Sequence, residues 1–342
     1  MQIGEGLEAY YRESHPGYED LRVSDLTANR AGMECETYFF TVEFTRGSTR
    51  RRLDRVLRVY EVPTRDLGWL SLRHRREYLG MQWLSERGYP LPGGVELVDD
   101  VRYLGRPFMI MNRVAGEPLA VVHRRSSPDD RATLFRSFCR LYADLHSLPW
   151  SEFFEDSVES PASEIGHFAQ LSAGLQKEGF APAWRWLMRH CPGETYPAVI
   201  HGDFHPENVL VGPEGELCVI DWTQVRVTDY RLDLGWTLIL EHSPAARRRL
   251  LSGYETARRI RVPDADYFEA ASALRRLFLF ATVLEDGPET VGLRPGTDRK
   301  ITEFMGGHVR HLLNRWTAIT GCRPDGITRH LRGVDVMPGN EG

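Results

Sequence analysis

Cysteine is scarce: Cys35, Cys139, Cys191, Cys218 and Cys322 are odd in number, scattered, and never spaced as CxxC. That excludes a disulfide framework and a zinc ribbon, and points to reduced thiols in a cytoplasmic protein. A basic footprint is also missing. The 43 Lys and Arg are spread along a chain of formal net charge −5, so nothing argues for a nucleic-acid partner, and the run Arg247-Arg248-Arg249 reads as the solvated face of a helix. Long hydrophobic runs are absent too. The longest clean apolar stretch, Leu277 to Leu284, is far too short to span a bilayer, and the N-terminus has no basic start followed by an apolar run. The expectation is a soluble protein with no membrane partner. There is no internal repeat or low-complexity linker, and 342 residues exceed one ordinary core, which suits two packed lobes.

What is present concentrates between Ala198 and Trp222, AVIHGDFHPENVLVGPEGELCVIDW. Two β-rich runs, Val209 to Val211 and Leu217 to Ile220, flank the turn Gly212-Pro213-Glu214-Gly215, so the segment reads as a hairpin entered through a polar loop. That loop holds His201, Asp203, His205 and Asn208, and Asp221 returns at the end of the second strand. A hairpin bringing Asn208 and Asp221 together would hold an amide oxygen and a carboxylate near one point, hard ligands suited to Mg²⁺. Asp203 is then free to accept a proton from a substrate hydroxyl, the division of labour that metal-assisted phosphoryl transfer requires. A competing reading takes H-x-D-x-H (His201, Asp203, His205) as a transition-metal hydrolase site, although no second His/Asp cluster supplies its other half. A nucleotide-binding scaffold without turnover is the other alternative. His205, before Pro206, reads as a loop-packing residue.

HGDFHPEN followed by VIDW resembles the catalytic loop of the aminoglycoside phosphotransferase and choline kinase superfamily, relatives of the protein kinases. The resemblance implies an α+β, two-lobed protein-kinase-like fold, with a small antiparallel-sheet nucleotide lobe over residues 1–111 and a larger, mainly helical catalytic and substrate lobe over 112–342. It implies Asp203 as catalytic base, Asn208 and Asp221 as Mg²⁺ ligands, His201 as a loop-bracing group, and Asp233, in Asp233-Leu234-Gly235, as a further brace of the loop. ATP or GTP would be the phosphoryl donor.

The remaining signals fall in the family's order. Leu7 to Glu13 suggests a short helix, and Leu21 onward, Tyr38 to Phe44 and Arg55 to Val59 read as strands, with a turn at Arg46-Gly47-Ser48. The segment Asn29 to Glu36 stands where a phosphate-covering loop belongs, yet holds only Gly32. By resemblance, Arg58 in VLRV reaches the nucleotide phosphates, Glu77 of the Arg76-Glu77 pair opening the Ser71–Gly88 helix is its partner, and RPFMIMNRVAGEPL (Arg106 to Leu119) is the hinge. There Met111 backs the purine while Asn112 and Val114 offer backbone C=O and N–H. Helices are expected at Ser127–His146, Ala183–His190, Ala245–Arg259, Tyr267–Leu284 and Ile301–Ile319, whereas the segment from Pro149 to Gly193 carries no interpretable motif. For the acceptor, Asp229, Glu241, Glu285, Asp286 and Glu289 are the carboxylates that could face a polycation of aminoglycoside type. Aromatics such as Trp222, Trp236, Phe278 and Phe280 are plentiful, most of them core. The expected acceptor is therefore a neutral or modestly cationic hydroxyl compound such as a macrolide, with an aminoglycoside close behind.

Overall fold

The computed structural model describes residues 2–29, 32–61, 73–153 and 158–334. Parts of two expected features, Arg30-Ala31 of the phosphate-covering segment and the first two residues of the Ser71–Gly88 helix, lie outside them. The chain forms two compact units. The first takes in Met1–Gly116, Leu210–Ile220 and Glu289–Pro295; the second takes in Glu117–Val209, Asp221–Pro288 and Gly296–Gly342. Residues 112–116, expected to open the second domain, fall in the first unit.

In the first unit, α1 (Ile3–Ser14) precedes three long strands, β1 (Glu19–Asn29), β2 (Cys35–Arg46) and β3 (Thr49–Tyr60), then α2 (Arg73–Glu86), β4 (Glu96–Val98) and β5 (Phe108–Asn112). The strands make one antiparallel sheet of order β1-β2-β3-β5-β4. Its tight β2–β3 hairpin pairs Arg46 with Thr49, and Gly47 supplies the left-handed turn residue at φ +61°. Alternation puts Phe40, Val42, Leu57 and Val59 on the buried face with Leu7 and Tyr11 of α1, which is the unit's core.

The chain continues through β6 (Glu117–Pro118), α3 (Leu119–Arg125), α4 (Pro128–Leu145), α5 (Pro161–Gly174), α6 (Ala181–His190) and β7 (Pro197–Ile200). The hairpin β8 (Val209–Val211) and β9 (Leu217–Val219) follows, its second strand donating from Val219 N to Pro90 O at 2.9 Å within the first unit. Then come β10 (Arg226–Asp229), α7 (Tyr230–Leu240), α8 (Pro244–Arg258), α9 (Ala265–Asp286), α10 (Thr297–Phe304), α11 (Gly306–Thr320) and α12 (Asp325–Thr328). Helix starts follow local chemistry: Ser127 caps α4 ahead of Pro128, and Asp229 caps α7 by accepting from Arg231 N. The centre of the second unit is α9, buried on nearly every side. Gly235 lets α7 lie directly on it, because a Cβ there would meet the Phe268 carbonyl carbon at 2.6 Å.

Two expectations are corrected. The single helix over Ile301–Ile319 is two, divided at Met305 (φ −103°, ψ 2°), where Gly306 and Gly307 follow and weaken helical continuity. The uninterpreted 150–193 segment contributes α5 as well as α6; Phe168 and Phe180 stack with Trp184, and all three rings meet Phe278 of α9 edge-on, so these helices pack against α9. No helix among the described residues is long and apolar enough to cross a membrane.

Candidate active site

Strand β7 pairs antiparallel with β10 and delivers the chain into the loop 201–208. The first turn of that loop needs glycine. Gly202 sits at φ +84°, and a Cβ on it would lie 2.5 Å from the Gln224 Cβ. The turn aims two amides at one acceptor: His201 N and Gly202 N donate to Asp233 Oδ2 and Oδ1 at 2.9 and 2.8 Å. Asp233 is wholly buried inside α7 and does not cap it. Behind it, His146 Nε2 approaches Oδ2 at 3.2 Å, His146 Nδ1 meets the Tyr254 hydroxyl at 2.7 Å, and Arg258 donates to that hydroxyl at 2.8 Å. One proton arrangement satisfies the row: Tyr254 O–H donates to Nδ1, and Nε2–H of a neutral His146 donates to Asp233. Burial depresses the His146 pKa against the pull of Asp233. Burial would raise Asp233, but its hydrogen bond from His146, with His201 and the His201 amide behind it, outweighs burial and holds the carboxyl down.

His201 is fully buried, its ring 4.5 Å from Trp222 and edge-on to Phe204, and its Nδ1 accepts from Asp203 N at 3.2 Å. Asp203 keeps 29% of its side chain exposed. Trp236 Nε1 donates to Oδ1 at 2.7 Å, His205 Nε2 lies 3.4 Å from Oδ2, and Asn208 Nδ2 donates to Oδ2 at 3.3 Å and to the Asp203 carbonyl at 3.0 Å. Burial opposes the charge, but His205, then Arg276 and the Trp236 bond, prevail and hold Asp203 well below the usual carboxylate range. His205 is raised in turn by Asp203, against burial. The packing role read for His205 is therefore too small: Glu207 N donates to its Nδ1 at 3.2 Å, which leaves Nε2 as the nitrogen that faces the Asp203 carboxylate.

The H-x-D-x-H set does not converge as a metal cluster, since His201 Nδ1 is taken up by the Asp203 amide and His205 turns to the Asp203 carboxylate. Among the described residues no group of three or more His, Cys, Asp or Glu is arranged to hold a metal. A hard cation that takes only one or two protein oxygens asks for less. Asn208 spends its amide nitrogen on Asp203, which leaves the amide oxygen for a cation. Asp221 stands in the left-handed region at φ +67°, half-buried, with Thr223 Oγ1 3.4 Å from Oδ1, and its charge helps raise His205. An aspartate tolerates that backbone better than most residues. The donor set fits Mg²⁺.

In the first unit, Arg58 on β3 and Glu77 on α2 form a buried ion pair, Nε to Oε1 3.6 Å, beyond hydrogen-bond length. Glu77 Oε2 accepts from the Tyr60 hydroxyl at 2.7 Å. At the expected hinge, Met111 is buried in β5, and the Asn112 N–H is committed to Gly93 O at 2.8 Å. The half-buried Val114 N–H meets no partner among the described residues.

Sequence reasoning had no role for three residues. Trp236 follows Asp233 by three positions and Thr237 by four, one helix face, and Thr237 Oγ1 donates to Phe204 O at 2.7 Å. That spacing was readable. His146, far away in α4, carried no such signal.

A loop carboxylate held by an indole and an imidazole, beside an amide and a second carboxylate, on a two-unit α+β chain defines a kinase-like phosphotransferase. The chain belongs to the phosphotransferase enzyme family, whose model matches residues 25–270. It is similar to mouse (Mus musculus) acyl-CoA dehydrogenase family member 10, 23% identical over 210 residues, which is 57% of this chain but spans only 19% of that relative. Among solved structures it is similar to a Ralstonia eutropha protein classed as an aminoglycoside phosphotransferase (TM-score 0.61, 17% identity, 95% of this chain and 98% of that one). Another is the phosphotransferase APH(2")-IIia, solved with GDP and kanamycin (TM-score 0.59, 14% identity, 91% and 98% of the two chains). At these identities the likeness is one of fold.

Proposed function

We propose that this chain is an Mg²⁺-dependent kinase that moves the γ-phosphoryl group of ATP or GTP to a hydroxyl of a small molecule. The observation that carries the reading is Asp203: partly open to solvent, fixed on one oxygen by Trp236 and on the other by His205 and Asn208, in a loop clamped by Asp233. Asp203 would orient the acceptor hydroxyl and take its proton. A carboxylate of such low basicity is a weak base toward a resting alcohol, which suits a transition state where proton transfer comes late. Asn208 and Asp221 would hold Mg²⁺, which bridges the phosphates and neutralises the charge that develops on them. In the first unit, the Arg58–Glu77 pair would present a guanidinium to the phosphates, and the Asn112 C=O with the Val114 N–H would meet the purine edge. Both contacts are backbone, so ATP and GTP stand together as donors.

The acceptor we propose is a hydroxyl compound of low positive charge, macrolide-like in this respect and unlike an aminoglycoside. Three of the five carboxylates that could have received a polycation are engaged within the protein. Asp229 holds Arg231 at 2.8 Å, and Glu285 and Asp286 hold Lys177 at 2.8 and 2.7 Å.

The test is nucleotide consumption with and without a panel of hydroxylated acceptors. Asp203→Ala should cut acceptor-dependent turnover by about 10²- to 10⁴-fold with nucleotide affinity nearly kept; a rate within threefold of wild type would remove Asp203 from the chemistry. Asp221→Ala should weaken Mg²⁺-nucleotide binding instead. Nucleotide bound but never consumed with any acceptor would leave a silent scaffold.

A further inference from the structure

Arg276, on α9, differs from the other arginines gathered in the second unit. Arg226 and Arg275 share Glu164 at 3.2 and 2.7 Å, Arg231 holds Asp229 at 2.8 Å, and Arg315 holds Glu269 at 2.6 Å. Among the described residues no carboxylate forms an ion pair with Arg276. Its guanidinium lies 4.9 Å from the centre of the Trp236 ring and 5.4 Å from that of Phe280. Its Nε is buried without a hydrogen-bond partner, while the two terminal nitrogens keep solvent access and bond to no described residue.

The position matters because of what else Trp236 touches. The indole whose face carries the guanidinium donates from its edge to Asp203 Oδ1 at 2.7 Å. One rigid side chain therefore spans the distance from the candidate base to a cation that feels the Asp203 charge but forms no ion pair with it. Apart from the Asp203 charge beyond the indole, the neighbours on this side are neutral: His308 is held neutral by burial and by Arg276 itself, and His242 and His311 follow it as a stacked row of imidazoles. A half-buried guanidinium with its forked edge open, flattened against aromatic rings, is built to bind an oxyanion through two parallel hydrogen bonds. It would repel an ammonium group.

We propose that Arg276 binds an acidic group of the acceptor, a carboxylate or a phosphate ester, and thereby sets the acceptor hydroxyl against Asp203. The assignment rests on the kinase reading and replaces its macrolide-like acceptor with a hydroxy acid. In the reaction, the hydroxyl oxygen forms a bond to the γ-phosphorus, the bond from that phosphorus to the bridging oxygen breaks, and the nucleoside diphosphate leaves. The hydroxyl proton passes to Asp203, and the acceptor's acidic group stays unchanged on Arg276.

The experiment compares wild type with Arg276→Gln and Arg276→Lys, using short hydroxycarboxylates, the matching hydroxyamides, and phosphate monoesters of the matching diols. A charged hydrogen-bonded pair predicts kcat/KM for an acid about 10- to 100-fold above that for its amide. Arg276→Gln should collapse that ratio toward unity, chiefly through KM, and Arg276→Lys should restore part of it. Damage to Asp203 or to the fold lowers both rates together and leaves the ratio alone, so an unchanged ratio overturns the proposal, as does a preference for aminoglycosides or choline. The better of the carboxylate and phosphate series names the group. Titration of hydroxycarboxylate and of inorganic phosphate without nucleotide separates the two claims. Arg276-dependent binding with no turnover of any acceptor supports the anion site and refutes the kinase. Turnover of uncharged acceptors with no acid binding refutes the site and leaves the kinase standing.

Discussion

Asp203 depends on a donor that no motif carries. Replacing Trp236 by Phe keeps the ring and removes only the N–H to Oδ1. A hydrogen bond to a charged group is worth about 1.5–3 kcal/mol, so kcat should fall about 10- to 100-fold with nucleotide binding intact. Unchanged steady-state rates would reduce the indole to packing. Gly202 is a backbone requirement. Gly202→Ala combines positive φ with a clash on Gln224 and should cost about 1–3 kcal/mol in urea denaturation as well as most activity. Wild-type stability in that variant would mean the loop relaxes freely. His201, Asp203, Asn208 and Asp221 could be singled out as candidates because they fall within one short loop and hairpin of the chain. Trp236 and Arg276 could not be singled out, since an aromatic or an arginine on a buried helix reads in sequence as packing.

The element that organises the loop is α7, which grips it at three positions of one face. Asp233 takes the His201 and Gly202 amides, Trp236 takes Asp203, and Thr237 takes the Phe204 carbonyl. Asp233→Asn should be severe, because an amide nitrogen would confront backbone donors in a buried site. A loss of about 3–5 kcal/mol is expected in chemical denaturation, and a loss under about 1 kcal/mol would show that the clamp is dispensable. On the sheet, Arg58→Met should raise the nucleotide KM and lower kcat together, since orientation and charge are lost at once; wild-type kinetics would confine the pair to structure. Strands and most helices followed periodicity and capping residues. The break between α10 and α11 escaped because apolar spacing runs across it while the glycine pair interrupts the backbone.

Across the whole molecule, the fold class and the family were readable, because the motifs fall in a fixed order along the chain. The composition of the two units was not. Leu210–Ile220 and Glu289–Pro295 join the first unit from far down the sequence, and no local pattern announces that. Stability should register the buried row behind the loop. His146 has a folded-state pKa below its ordinary value, so its contribution is complete above about pH 6.5 and fades as the pH falls below it. Asp233 is also depressed, so its contribution persists until the pH falls below about 4. The urea midpoint should therefore decline in two stages on acidification, the upper one shared by His146 with the depressed His308 and His311, and His146→Gln should make that stage shallower; an identical profile in that variant would contradict the neutral buried imidazole. The same clamp governs how the loop breathes. Residues 201 and 202 belong to no helix or strand, yet their amides close onto a carboxylate rooted in the helix packed on α9. Deuterium should enter those two positions only when α7 itself comes loose, at the slow pace of core helix amides. In an exchange map this turn will look like part of the helical core, far slower than the exposed hairpin tip at Pro213–Glu216 a few residues on.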